Sequence, residues 1–397
     1  MTGKLNEEQR LLCKLLREAL TGAASSDSDR KLPAGADKKE LLRMAEKHRV
    51  LPLLYDVLHD CGALDEQEWR QVETYSRQTV LQSYHLLFLT RELTELLEQG
   101  GIWPVVLKGC GLAAWYPVPE LRRAGDVDLL VREQDLDHAL AVLQQAGYGI
   151  SEIQHANHHV VCRSERGIDV ELHVMLAEPF NDERINGRMK ELSETFGETR
   201  VYRDCMGVAL PVPPDACQAL QMLLHMLQHF LRAGFGMRLL CDWTVFWNRQ
   251  EGNQTWEEFE ELAASCGILE FARVVTESCV RFLGLRENIL KGRHEPGLAE
   301  EFLCDVFDSE EFGRAGAERM VAIQGTGIRA YWREFHYQMK MNHPKTSKCV
   351  LLWPGLWVIT LIVFLRNNRR LNRGSAGEIM RSAGQRSRLV RQLKLWE

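Results

Sequence analysis

The sequence predicts an α+β protein, with a small mixed-sheet core set between an N-terminal and a C-terminal helical region. Three observations predict it. Residues 38–99 carry helical periodicity that stops at Gly100 and Gly101. Residues 102–175 then alternate short apolar runs with helical stretches and close on two paired runs. From Asp215 to Gly284 the periodicity is helical again.

The elements follow in order. Residues 5–22 form a helix with Leu11, Leu12, Leu15 and Leu16 on one side. Residues 21–37 are small and polar, a loop. Residues 102–107 read as a buried strand, and 108–116 as a helix after a glycine-rich entry. A loop with two prolines and two arginines, 117–125, leads into a strand at 127–131. Residues 135–146 form a helix capped by an acid and ended by Gly147. Residues 158–164 and 168–175 are two strands joined by a tight turn at 165–167. Pro211, Pro213 and Pro214 mark the next boundary, and 297–340 are helical but weakly patterned. The expected division is 1–100, 101–212, 213–345 and an apolar, then basic, helical tail at 346–397.

Composition narrows the function class. The 397 residues are 45% hydrophobic and 26% charged, the balance of a globular protein with a sizeable core. A net charge of −6 argues against a general nucleic-acid binder, and no stable nucleic-acid complex is expected. The charge is uneven: residues 366–397 hold nine Lys/Arg and two Asp/Glu, a basic tail suited to an anionic partner or a membrane surface. Eleven cysteines without a C-x-x-C pair fit reduced thiols, and the N-terminus lacks a signal-peptide run, so a cytoplasmic protein is expected. Residues 349–365 hold no charge over seventeen positions but contain Pro354 and Gly355. A buried helix is the first reading there, with an interfacial helix and a membrane span as alternatives.

The chemistry concentrates between 105 and 131. Asp126 and Asp128 lie two apart on an expected strand, so both side chains face one way. Two such carboxylates can hold divalent ions about 4 Å apart. Alone, D-x-D with apolar neighbours often occurs by chance on a solvated strand end. The context strengthens it. Gly109 and Gly111 let backbone approach phosphate, Lys108 supplies a point charge, and Arg122 and Arg123 can engage phosphate in a forked geometry. A third acid is expected from the strand at 168–173, where Asp169, Glu171 and His173 share a face; periodicity alone does not choose between Asp169 and Glu171.

These residues carry a resemblance. Lys108–Gly109, Tyr116–Pro117, Arg122 and the run from Gly125 through Asp126 and Asp128 to Val131 resemble the uncharacterised nucleotidyltransferase family of the DNA polymerase beta-like superfamily. Glu171-Leu172-His173 matches that family's acid-x-His, which favours Glu171 as the third acid. His225, His229, Arg238 and Asp242 match its paired histidines and later Arg…Asp. The resemblance spans about residues 40–285.

It implies a nucleotidyltransferase core and metal-dependent transfer of a nucleoside monophosphate from a nucleoside triphosphate, ATP first among them, to an unknown hydroxyl acceptor with release of pyrophosphate. Magnesium or manganese would sit on Asp126, Asp128 and Glu171, the last as ligand or base. Lys108, Gly109, Cys110, Arg122 and His173 would line the nucleotide side, and His225, His229, Arg238 and Asp242 the acceptor pocket. Two departures stand out. Cys110 occupies a place where the superfamily has Ser or Gly, and the gap from Cys110 to Asp126 is long for the superfamily. A non-catalytic nucleotide-binding or regulatory protein, membrane-surface associated, is the alternative.

Other motifs read more plainly. His155, His158 and His159 are first a polar loop, with a zinc site shared with His173 as the lesser alternative. Trp243, Trp247 and Trp256 are packing residues, and Gly-Thr-Gly at 325–327 is a weak nucleotide signal.

Overall fold

A computed structural model describes residues 4–22, 32–151 except 34 and 63, and 159–289 except 165, 166, 181 and 233. It also describes 296–309, several positions in 332–343, 346–371, 388–393 and 395. Helix α1 (Glu7–Thr21) opens with a reciprocal capping box between Asn6 and Gln9 and ends at Gly22, whose φ of 64° suits glycine. Helices α2 (Lys38–Lys47) and α3 (Tyr55–Cys61) follow. Helix α4 (Glu66–Gln99) is the long spine, started by an Asp65–Glu68 capping box.

The core is a five-stranded mixed sheet. Its strands are β1 (Val105–Val106), β2 (Val127–Leu130), β3 (Gly149–Ile150), β4 (His159–Arg163) and β5 (Asp169–His173), in the order β1-β2-β5-β4-β3. Only β2 and β5 run parallel, and their register sets Asp128 beside Glu171. Strand alternation then divides the sheet. Val127, Leu129, Val160, Cys162, Val170 and Leu172 join an apolar cluster with Leu86, Leu93 and Leu97 of α4 and Leu140 of the following helix, α6 (Leu136–Gln145). The opposite face carries Asp128, His159, Glu171 and His173. Between β1 and β2 lies the one-turn helix α5 (Cys110–Ala113).

Several expectations are trimmed. The strand expected at 102–107 pairs only at 105–106, the helix at 108–116 covers only 110–113, and Asp126 precedes β2 rather than lying within it. Asp135 does not cap α6, because its carboxylate accepts from Arg132 Nε at 2.7 Å. Helix α7 (Glu183–Glu198) and the hairpin β6 (Val201–Cys205) and β7 (Val208–Val212) were not read from sequence. The hairpin turns at Met206 and Gly207, both at positive φ, and Met-Gly lacks the Asn-Gly or Asp-Gly signature of such turns.

Helices α8 (Asp215–Leu231), α9 (Met237–Arg249), α10 (Gln254–Ser265), α11 (Leu269–Leu283) and α12 (Pro296–Ser309) build the C-terminal region. They share one apolar core with α1 and α2, in which Leu12, Leu16 and Leu41 meet Trp243, Phe271 and Phe302. Trp243, Trp247 and Trp256 are buried packing residues, as expected.

The apolar segment of the tail departs from its first reading. It forms a short turn, Val350–Leu352, and the helix Trp353–Leu371, yet Val350, Val358, Ile359, Ile362 and Val363 are exposed and Leu351 is 90% exposed. Leu356 and Thr360, one turn apart, are buried, and Trp353 and Trp357 meet His336 and Trp332 edge to face. A single covered row replaces the expected buried helix. Among the described residues, no helix is long and apolar enough to cross a membrane. Gly325–Gly327, His155, His158 and most of the basic tail lie outside the described residues.

Candidate active site

The polar face of the sheet forms the floor of a cleft of about 470 Å³, within the size range of small-ligand sites. Asp126, Asp128 and Glu171 converge there, with one oxygen from each inside a sphere where all lie within 4.8 Å of one another. The parallel register explains the meeting of Asp128 and Glu171, and Asp126 reaches the same place from the turn just before β2. Three carboxylates at this spacing fit a hard divalent cation such as magnesium or manganese.

Cations already attend the acids. Lys108 Nζ lies 2.8 Å from Asp128 Oδ1, and His173 Nε2 lies 2.9 Å from the same oxygen and 3.3 Å from Glu171 Oε2. Burial raises the cost of charge on Asp128, but Lys108 and His173 outweigh it and hold the carboxyl well below its usual range. Glu171 is also lowered, the His173 hydrogen bond overcoming burial. Asp126 moves the other way: burial and the neighbouring Asp128 charge raise it. Lys108 resists burial because Asp128 and Asp126 favour its charge, so it stays cationic. His173 is raised by its two carboxylate bonds against the pull of burial.

The chain enters the cleft through Gly109, whose φ of 60° is left-handed and whose carbonyl accepts from Arg122 Nη1 at 3.1 Å. A side chain there would be strained by its φ alone.

The facing wall comes from α8 and α9. His225 and His229, one turn apart, meet edge to face at 4.5 Å. Burial and the Lys108 charge hold both imidazoles neutral, His225 well below its ordinary value and His229 down to about 3. Arg238 and Asp242 line the same cleft.

Four expected roles change. Arg122 does not point its fork at open space: Nε and Nη2 donate to the two oxygens of Asp242 at 2.7 and 2.9 Å. Asp242 is accordingly not an open pocket acid, since Tyr116 also donates to it at 2.7 Å and Arg238 lies 3.8 Å away. The Cys110 thiol turns into the apolar core beside Thr90, because the single turn of α5 rotates it toward α4. Its side chain therefore makes no contact in the cleft. Arg123, the second expected fork, sits over the Tyr75 ring at 4.8 Å. Asp169 pairs with Arg163 at 2.7 Å, on the rim, while Glu171 stands among the acids.

Sequence reasoning missed Arg49, Gln221 and Gln228, which line the cleft from α2's end and from α8. Arg49 sits at φ 55°, an uncommon conformation for arginine. No local motif announces any of the three. Tyr116 was noted only as part of a motif, and its partner lies 126 residues away.

The profile of a family described as uncharacterised nucleotidyltransferases matches residues 34–284. No curated protein matches the chain. Among solved structures, the chain is similar to an antigenic nucleotidyltransferase-like protein from Paracoccidioides brasiliensis. The two share 16% identity over 51% of this chain and 93% of that one, with a TM-score of 0.33.

Proposed function

The chain belongs to the uncharacterised nucleotidyltransferase family, and from that premise we propose that it moves a nucleoside monophosphate from a nucleoside triphosphate to a hydroxyl acceptor. The single observation that carries the proposal is the convergence of Asp126, Asp128 and Glu171 beside Lys108 in one cleft. Those three carboxylates would hold magnesium or manganese. Such a cation supplies charge neutralisation at the triphosphate and activation of the acceptor oxygen.

The protein's own groups do the rest. Lys108 touches Asp128 through one point contact and is 19% exposed, so it can swing to a phosphate oxygen. Arg238 offers a second cation from the opposite wall. Glu171, held ionised, serves as cation ligand or takes the acceptor proton. The acceptor oxygen bonds to the α-phosphorus, the bond from that phosphorus to its bridging oxygen breaks, and pyrophosphate leaves. His225 and His229, neutral, offer hydrogen bonds without adding charge where the acceptor would lie. ATP is the first nucleotide to test.

A screen of the four nucleoside triphosphates with magnesium or manganese, against a cell extract as acceptor source, reads the proposal directly. Pyrophosphate release with transfer of α-phosphate label is the expected result. Nucleotide binding without release would instead identify a non-catalytic nucleotide-binding protein.

A second, separate proposal concerns location: the helix Trp353–Leu371 rests on an anionic membrane surface from the cytoplasmic side. Its support is the set of exposed apolar side chains between Val350 and Val363, followed in sequence by Arg366, Arg369 and Arg370. Sedimentation with anionic vesicles, lost on truncation after Asn342, is the expected outcome; equal sedimentation of the truncated chain would refute it.

A further inference from the structure

We propose that His159, Glu171 and His173 form a second cation site, next to the three-carboxylate site and sharing Glu171 with it, that takes a divalent transition ion of the zinc type. The strand register builds it. In the antiparallel β4–β5 pair, His159 stands directly opposite His173, and Glu171 is two residues along on the same face. The two imidazole rings lie 5.2 Å apart, centre to centre. His159 Nε2 is 4.0 Å from Glu171 Oε2, His173 Nε2 is 3.3 Å from it, and one donor atom from each residue lies within 4.8 Å of the others.

These separations suit an ion. Zinc holds nitrogen and oxygen at about 2.0–2.2 Å, so two donors of a tetrahedral set lie about 3.4 Å apart. One pair already meets that spacing, and a small turn of His159 brings the other to it. Asp128, at 2.9 Å from His173 Nε2, adds negative charge beside the site. The nitrogen donors set the selectivity: imidazole suits zinc-type ions, whereas magnesium prefers all-oxygen sites. The cleft thus offers two kinds of coordination a few ångströms apart.

The inference rests on the proposed function only through the shared Glu171; its geometry stands without nucleotide chemistry. Cobalt is the probe, because its visible spectrum separates histidine–carboxylate from thiolate coordination in a chain with eleven free cysteines. The full-length protein is titrated with cobalt, zinc is used as competitor, and His159→Gln, His159→Ala and Asp126→Asn are compared, each checked for a wild-type circular dichroism spectrum. Wild type should bind one cobalt ion without sulfur-to-metal absorption, displaced by zinc. Both His159 variants should bind it at least about tenfold more weakly, since even outer-shell changes cost about that much. Asp126→Asn should keep the ion, binding it more tightly than either His159 variant because it loses one nearby charge and no ligand of this site. Equal cobalt affinity in wild type and both His159 variants would overturn the site, as would a thiolate spectrum or loss of cobalt in Asp126→Asn. Absence of nucleotidyl transfer with cobalt binding intact would sink the proposed function and leave this site standing.

Discussion

Asp128 and Asp242 lie on opposite walls of one cleft, and each side chain is only 2% exposed, yet they are held in opposite ways. Asp242 is locked: Arg122 grips both of its oxygens, Tyr116 adds a third donor, and the Arg122 side chain is as buried as its partner. Asp128 is poised: its cations are a single lysine amine that reaches solvent and a histidine shared with Glu171. A bidentate, sealed pair fixes geometry, here by tying the 117–125 loop to α9. A point contact at a cleft mouth can be exchanged for a ligand. Burial alone therefore does not mark a reactive acid; the exchangeability of its partner does.

The comparison can be broken most sharply on the poised side. Asp126→Ala and Asp128→Ala should each cut nucleotidyl transfer by on the order of a thousandfold or more, while the circular dichroism spectrum stays that of wild type. Transfer surviving both changes would end the assignment. On the locked side the effect should fall on the fold instead. Asp242→Ala leaves Arg122 buried and unpaired and should cost about 3–5 kcal/mol in denaturant unfolding. Replacing both partners by apolar residues, Arg122→Met with Asp242→Leu, should recover a measurable part of that loss.

A smaller effect sharpens the role of the exchangeable lysine. Lys108→Met removes one charged hydrogen bond to phosphate and should raise the nucleotide KM about 10- to 100-fold, with an unchanged circular dichroism spectrum. The smallest effect concerns the histidine wall. Folded His229 titrates near 3, below its ordinary value near 6.5. As pH falls, the unfolded chain takes up that proton first. This contribution to stability is whole above about pH 6.5 and drains away toward pH 3. His229→Gln should flatten the fall by at most about 1.4 kcal/mol per pH unit, read from unfolding midpoints at pH 7 and pH 5.

The sequence showed the α+β plan and the acidic centre because both are local. The helical stop at Gly100–Gly101 and the alternation around Asp126 and Asp128 are visible within a dozen residues, and the resemblance over about 40–285 agrees with the matched span of 34–284. Glu171 shares a strand face with Asp169, so periodicity does not separate them; the resemblance favours Glu171, and the register with β2 sets it beside Asp128 while Asp169 pairs with Arg163 on the rim. What stayed hidden was long-range. The Arg122–Asp242–Tyr116 clamp joins residues more than a hundred positions apart, so Arg122 and Asp242 read as open ligand groups. The resemblance puts Cys110 on the nucleotide side, and its rotation about a four-residue helix into the core is not written in its neighbours. The tail helix looked buried because composition reports apolarity but not whether anything covers it.

Manganese binding, followed by its electron paramagnetic resonance signal with and without ATP, probes the poised acids most directly. Wild type should bind manganese, more tightly with nucleotide present, and the Asp126→Ala/Asp128→Ala double variant should lose that binding while keeping a native circular dichroism spectrum. Manganese–nucleotide binding of equal affinity in the double variant would contradict the account.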